Sequence, residues 1–220
     1  MFVNIRGTFG SGKTTVVGQI MTELKNRGCQ EVDMVEPIER LEGKSKFMGH
    51  RFLNIPGLKK GVIFMGKYGQ SACGGADTLN WKGAHEDAEA FIKKNIADNH
   101  IIMEGSITSG GSRYNRIGLE LKEQGIPSVY FHMATPRDLC VERVLGRRKQ
   151  RQEQKVAKAE AKGKEAPIAK EFSRDNLDKL FDVVTKQKEK TESLGLRLEM
   201  IESEPGIGRY IINTMGQSEG

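Results

Sequence analysis

The chain has 220 residues and a formal net charge of +6, with 37% hydrophobic and 29% charged residues. Its mean hydropathy is −0.51, and no apolar run approaches the roughly 20 residues of a membrane-spanning helix. Cys29, Cys73 and Cys140 are too few and too scattered for a disulfide framework or a metal cluster. Because a strand is predicted from residue 2, we expect no signal peptide and a cytoplasmic location.

Strand and helix signals alternate along the chain, which predicts a three-layer α/β/α fold around a mainly parallel sheet. A buried strand is expected at residues 2–6, followed by an amphipathic helix from Lys13 to about Arg27 that Gly28 ends. The stretch EVDMVEP predicts a second strand that Pro37 ends. Residues 38–80 are predicted as an insertion that contains a β-hairpin with a Pro-Gly turn.

The second half of the chain continues this alternation. Residue spacing predicts a helix over WKGAHEDAEAFIKKNIADN, a strand at HIIMEGS, a helix from Arg113 to Gln124, a strand at SVYFHMA, a helix from Thr135 through Arg148, a helix at 175–192 and a strand at LRLEMIE. The run TPRD has the capping threonine, first-turn proline and acidic residue of a helix start. We expect one domain over residues 1–220, with a lid and basic segment at about 137–172.

The run GTFGSGKT, residues 7–14, fits the pattern G-x-x-x-x-G-K-[ST] between a predicted strand and a predicted helix. Its glycines let backbone N–H groups turn toward phosphate oxygens, and the helix N-terminus adds the positive end of its dipole. Lys13 is expected to reach the β- and γ-phosphates of ATP, and the Thr14 hydroxyl to complete a Mg²⁺ shell. The predicted nucleotide site consists of Gly7, Thr8, Phe9, Gly10, Ser11, Gly12, Lys13, Thr14 and Thr15.

Glu104 ends the apolar stretch IIME, and a carboxylate at the tip of a strand beside the phosphate loop is expected to hold Mg²⁺ directly or through water. The alternative is a strand-end glutamate that faces solvent. Two other classes of protein that share this loop fit less well. No N-K-x-D follows an apolar strand, which argues against a guanine site, and the chain is short for a motor core.

Positive charge is concentrated in residues 143–170, which contain ten Lys or Arg and three Glu. Because the remainder is close to neutral, a polyanion or a triphosphate is the natural partner of this segment. Arg143, Arg147 and Arg151 are spaced by four, with Arg148 beside them, where small kinases carry a lid. Arginine can clamp phosphate oxygens and stabilise a transferring phosphoryl group. The alternative is a basic surface helix, and residues 155–165 alone are more typical of a solvated one.

With these motifs the chain resembles the thymidylate-kinase-like group of small P-loop kinases. VEPIER, residues 35–40, looks like the E-P-V element of deoxynucleoside kinases, which implies that Glu36 acts as a base on a hydroxyl. PRDLCVERVLGRR is similar to their lid helix, which implies roles for Arg143, Arg147 and Arg148 at ATP. The chain lacks the arginine of E-R-S after Glu104, and the D-R and E-P-G of thymidylate kinases. These departures argue against free nucleosides and nucleotides as acceptors.

A narrower resemblance rests on GKYGQSACGGADTL, residues 66–79, together with VNIRGTFGSGKTT and MEGSITS. These stretches resemble the phage 5-hydroxymethyluracil DNA kinases. The resemblance implies ATP- and Mg²⁺-dependent phosphorylation of the 5-hydroxymethyl group of a base within DNA, which gives 5-phosphomethyl-deoxyuridine. A later nucleophile can displace that phosphate, and the modified phage genome resists host restriction. The implied location is the cytoplasm of the host cell.

A primary alcohol must lose its proton as it attacks the γ-phosphate, which calls for a nearby carboxylate. Asp77, on the glycine-rich loop CGGAD, is the preferred base, with Glu36 expected near the metal or the acceptor. Glu36 as the base is the other possibility. The alternative for Asp77 is that it caps the oncoming helix.

A base within duplex DNA must be flipped out or presented single-stranded to reach the phosphate loop. Tyr68, Trp81 and Tyr114 are candidates to stack on it, although packing is the commoner role for each. The lysine-rich segment after Arg151 is then expected to follow the DNA backbone. Two other functions stay open: a kinase of free deoxynucleosides or their monophosphates, and a DNA-binding P-loop ATPase.

Overall fold

A computed structural model describes residues 1–68, 74–105, 111–165, 168 and 174–220. Within these ranges seven strands form one sheet: β1 (Phe2–Arg6), β2 (Gln30–Ile38), β3 (Lys44–Leu53), β4 (Gly61–Met65), β5 (Asn99–Glu104), β6 (Ser128–Met133) and β7 (Leu198–Ile201). Their order is β2-β3-β4-β5-β1-β6-β7. The five strands β4, β5, β1, β6 and β7 are parallel to their neighbours in this group, whereas β3 is antiparallel to both β2 and β4. The predicted α/β fold with a mainly parallel sheet is confirmed.

Helices cover both faces of the sheet: α1 (Lys13–Asn26), α2 (Ala84–Asn95), α3 (Gly111–Glu123), α4 (Arg137–Glu160), α5 (Arg174–Ser193) and α6 (Ile207–Gln217). Because neighbouring side chains of a strand point to opposite faces, β1 contributes to two apolar cores. Val3 and Ile5 pack with α1 and α6, and Phe2 packs with α2 and α3. No helix in the described ranges has the length and apolar character needed to cross a bilayer.

The segment predicted as an insertion instead supplies two strands of the main sheet. The hairpin with its Pro-Gly turn is present, but β3 pairs with β2 along one side and with β4 along the other. The strand that runs parallel to β5 is therefore β4, and β2 lies at the edge of the sheet. Pro37 does not end β2, because an edge strand tolerates a residue without an N–H group, and the strand continues to Ile38.

Two helices differ from the sequence-based expectation. Helix α4 continues past Arg148 to Glu160. Arg143, Arg147 and Arg151 therefore lie on the same helix as Lys155 and Lys158. Helix α6 was not predicted, although Ile211, Ile212 and Met215 give it an apolar face that packs beside α1. Residues 166, 167 and 169–172 of the predicted basic segment lie outside the described residues.

Candidate active site

The loop from Gly7 to Thr14 joins β1 to α1 and turns around the side chain of Lys13, which is 8% exposed. The Lys13 Nζ donates hydrogen bonds to the carbonyl oxygens of Gly7, at 3.0 Å, and Thr8, at 2.9 Å. Burial lowers the pKa of Lys13, and the nearby carboxylates of Glu104 and Asp77 partly offset this effect. The amine is therefore held inside the loop that is predicted to receive phosphate.

Two glycines of the loop are required by their conformation and by close neighbours. Gly10 and Gly12 have φ values of 81° and 94°, which L side chains rarely adopt. A Cβ atom on Gly10 would lie 2.5 Å from the carbonyl oxygen of Cys140, and one on Gly12 would lie 2.8 Å from Ser203 Oγ. Helix α4 and the loop after β7 thus press directly on the phosphate loop.

Glu104 lies at the end of β5, directly beside Ile5 of β1, and is 2% exposed. Its Oε1 accepts a hydrogen bond from Thr14 Oγ1 at 2.9 Å. Burial raises the pKa of Glu104 to about 7, although Lys13 and the bond from Thr14 act in the opposite direction. The carboxyl group is therefore buried in the site, and the alternative of a solvent-facing glutamate does not hold.

The glycine-rich loop after β4 lies against this pair. A Cβ atom on Gly75 would lie 2.5 Å from the carbonyl oxygen of Glu104, and one on Gly74 would lie 2.9 Å from Thr14 Cγ2. Thr78 fixes the loop, because its Oγ1 donates to the Gly75 carbonyl at 2.7 Å and accepts from the Lys67 N–H at 2.8 Å. These close contacts leave no room for a side chain at Gly74 or Gly75. Residues 69–73 of the same motif, and 106–109 of MEGSITS, lie outside the described residues.

Asp77 lies in a 3-10 helix of one turn, Ala76–Thr78, that follows these glycines. The N-cap of helix α2 is Gly83, so Asp77 does not cap that helix as the alternative interpretation required. Asp77 is instead close enough to Lys13 and Glu104 to affect the pKa of each. Asp77 therefore lies near the phosphate loop.

These elements enclose a cavity of about 450 Å³. It is lined by Phe9, Gly10, Gly12, Lys13, Thr14, Thr15, Gly74, Asp77, Glu104, Arg143, Arg147 and Ser203. Arg143 reaches the loop directly, since its Nη1 donates to the Gly10 carbonyl at 3.2 Å. The cavity brings together a lysine, two arginines and two carboxylates, which is a charge distribution suited to a phosphate ester with a bound cation.

Five of the predicted site residues do not line this cavity: Gly7, Thr8 and Ser11 of the phosphate loop, Arg148 and Glu36. Arg148 lies on α4 one residue beyond Arg147 and is absent from the cavity wall. Glu36 lies on edge strand β2, which is three strand positions and about 14 Å from β5. Its carboxylate pairs with Lys94 of α2 at 2.8 Å and lines a separate cavity. The structure thus brings only Asp77, and not Glu36, to the phosphate loop.

Ser203 lines the cavity although the sequence did not single it out. Ser203 follows β7, which is parallel to β1 through β6. Ligands of open α/β sheets bind at the carboxyl ends of parallel strands, so the loop after the last strand was a candidate on topology alone. The sequence does not give the strand order, so it could not show that Ser203 follows a strand near the phosphate loop.

The three aromatic residues predicted to stack on a base have other partners. The ring of Tyr68 packs against Phe64 and His50, and Tyr114 is only 3% exposed. The Trp81 indole donates to Asp87 at 2.7 Å. All three therefore act in packing in this structure.

Comparison with known proteins gives one distant similarity and no family assignment. No protein-family model matches the chain. Among curated proteins it is similar to the 5-hmdU DNA kinase of Pseudomonas phage PaMx11, with 26% identity over 151 residues, which cover 66% of this chain and 68% of that protein. This similarity suggests a kinase role in phage DNA modification.

Proposed function

We propose that the chain is an ATP-dependent kinase that phosphorylates the 5-hydroxymethyl group of 5-hydroxymethyluracil within DNA, and that it acts in the cytoplasm of a phage-infected cell. The observation that carries this proposal is the position of Asp77, on a glycine-rich loop packed against Thr14 and Glu104 of the phosphate site. The similarity to the kinase of phage PaMx11 supports the choice of acceptor.

In the proposed reaction the hydroxymethyl oxygen attacks the γ-phosphorus of ATP, and its proton passes to the Asp77 carboxylate. The bond between the γ-phosphorus and the bridging oxygen breaks, and ADP leaves with that electron pair. Lys13, Arg143 and Arg147 lie around the same cavity, where they can stabilise the charge on the transferring phosphoryl group. The products are ADP and 5-phosphomethyl-deoxyuridine in DNA, which a later nucleophilic substitution can use.

The oxygens of Thr14 and Glu104 fit a Mg²⁺ ion. Both are hard ligands, and a bound cation would oppose the burial that raises the pKa of Glu104 to about 7. In the described ranges no group of three or more His, Cys, Asp or Glu side chains is placed to hold a metal ion. Mg²⁺ bound with substrate phosphates needs only one or two protein carboxylates, so Thr14 and Glu104 suffice. When bound, the ion would supply positive charge beside the β- and γ-phosphates.

Helix α4 provides a surface suited to the DNA backbone. Its exposed basic residues recur every three or four positions and so share one helical face: Arg143, Arg147, Arg151, Lys155 and Lys158. The first two line the cavity and the last three lie beyond it. The face extends about 22 Å, the length of roughly six base pairs, which allows DNA bound along α4 to present a flipped base at the cavity.

Replacing Arg151, Lys155 and Lys158 together by glutamine is expected to weaken DNA binding at every sequence. Each lost phosphate contact lowers the slope of log affinity against log salt by about 0.9, so the slope should fall by about 3. The measurement is fluorescence anisotropy of a labelled duplex at several salt concentrations. The matched control replaces the exposed lysines Lys25, Lys82 and Lys122 on other elements. Equal losses in both variants would contradict a role for the α4 face.

Transfer of label from γ-labelled ATP tests the proposed function. The acceptors are DNA that contains 5-hydroxymethyluracil, the same DNA with thymine, and free deoxynucleosides and their monophosphates. Label is expected only in the hydroxymethylated DNA. Label in the free compounds alone would overturn the proposal in favour of a nucleotide kinase. ATP hydrolysis that DNA stimulates without a labelled acceptor would identify an ATPase instead.

A further inference from the structure

We propose that Phe9 is the platform on which the acceptor base stacks, an inference that rests on the proposed function. Phe9 lies within the phosphate loop, yet its side chain is 46% exposed and lines the cavity beside Asp77 and Arg143. The phenyl ring has no hydrogen-bonding group to offer a phosphate, whereas the backbone N–H of any residue can serve that role. Its presence in a loop that otherwise serves phosphate binding calls for another ligand.

The surroundings of Phe9 leave its ring available to a ligand. Its neighbour Gly10 is pressed against the backbone of Cys140, so the loop is fixed at this point by α4. Within the described ranges Phe9 belongs to neither apolar core, and it makes no ring-to-ring contact. When a flat ligand covers an exposed apolar ring on a fixed loop, the free energy falls because apolar surface is removed from water.

The ligand is identified by the chemistry of the ring and of the cavity. Aromatic side chains bind unpaired nucleobases by stacking, which needs no hydrogen-bond complementarity. Among the described residues Phe9 is the one aromatic side chain in the cavity wall, and Asp77 lines the same wall. A uracil ring on Phe9 therefore lies in the cavity where its exocyclic hydroxymethyl group can meet both Asp77 and the phosphate loop. Adenine of ATP is the other possible source of a flat ring, and the kinetic experiment separates the two.

Phe9→Leu keeps an apolar side chain and removes the aromatic face. It is expected to raise KM for the hydroxymethylated DNA by about 5- to 150-fold, the range for loss of one base–aromatic stack, and to leave KM for ATP within about twofold. Phe9→Tyr should restore the KM for DNA. Tyr210→Leu is the matched control, because Tyr210 is also 46% exposed but lies on α6 outside this cavity. A rise in KM for ATP with unchanged KM for DNA would overturn the inference.

Photo-cross-linking gives a readout that needs no turnover. DNA with 5-iodouracil at the acceptor position is irradiated with the protein, and the tryptic peptides are mapped. Trypsin cleaves after Arg6 and Lys13, so the peptide 7–13 contains Phe9 as its sole aromatic residue. A cross-link in this peptide, lost in Phe9→Leu, is the expected result, and cross-links confined to other peptides would overturn the platform. Failure of the proposed function would instead appear as no label transfer to hydroxymethylated DNA by the unaltered chain.

Discussion

Asp77→Asn is expected to lower phosphoryl transfer by about 10²- to 10⁴-fold while ATP binding stays close to that of the unaltered chain. Asparagine retains the size of the side chain but cannot accept the proton of the attacking hydroxyl. The loop itself should persist, since Thr78 and the glycine contacts hold it. Single-turnover transfer of γ-phosphate to hydroxymethylated DNA measures the chemical step, and equilibrium binding of a fluorescent ATP analogue measures the donor site.

Glu36→Gln is the matched control for this experiment, because Glu36 is the other carboxylate that the sequence offered as the base. Its carboxylate pairs with Lys94 in a separate cavity, and its replacement should leave single-turnover transfer within about twofold. Near-normal transfer by Asp77→Asn would remove Asp77 from the mechanism. A large loss in Glu36→Gln alone would assign the base to β2.

Glu104→Gln is expected to stabilise the ligand-free protein by about 3 kcal/mol at pH 8. The pKa of Glu104 is raised from its ordinary value of 4.5 to about 7, chiefly by burial. The folded state therefore holds a proton that the unfolded state releases as the pH rises above 4.5. The stabilising contribution is complete below that pH and is lost progressively up to about pH 7. Glutamine resembles the neutral acid, so it avoids this loss.

Chemical denaturation at pH 5 and pH 8 without nucleotide or metal measures this effect. The advantage of Glu104→Gln should be under about 1 kcal/mol at pH 5 and should grow with pH. Glu219→Gln is a control of opposite sign. Burial alone would raise the pKa of Glu219, but N–H donors of Lys59 and Lys60 and the ring of His100 outweigh it and lower that pKa. A Glu104→Gln protein that is less stable at pH 8 would contradict the assigned protonation, while its phosphoryl transfer should fall in either case.

Local patterns were sufficient to predict the strand, loop and helix around Lys13. The strand, the glycine-rich loop and the helix around Lys13 are consecutive in the chain, so composition and spacing define their geometry. Asp77 could also be proposed, because the reaction calls for a carboxylate and Asp77 lies on the glycine-rich loop CGGAD. The roles of all the site residues stay predictions until the variants are measured.

Long-range strand pairing could not be predicted in the same way. The stretch VEPIER suggested that Glu36 ends a strand beside the phosphate loop, but β3 and β4 pair between β2 and β5 and displace it. That outcome depends on hydrogen bonds between residues far apart in sequence, which local propensity does not specify. Ser203 was missed for the same reason. The end of α4 could not be located beyond Arg148 from the sequence, because its lysines and alanines show no apolar periodicity to mark the helix.

The first turns of helix α4 are held against the phosphate loop. Thr135 Oγ1 donates to the Ser11 carbonyl at 2.6 Å, and Cys140 lies against Gly10, so the first turns are fixed to the phosphate loop. The helix then extends without a break for 24 residues, about 36 Å. Because the helix starts at the phosphate loop, a tilt of about 10° there moves its far end by about 6 Å. On the proposed function, DNA bound at the far end would be connected through one continuous helix to the loop that is predicted to hold the donor phosphates.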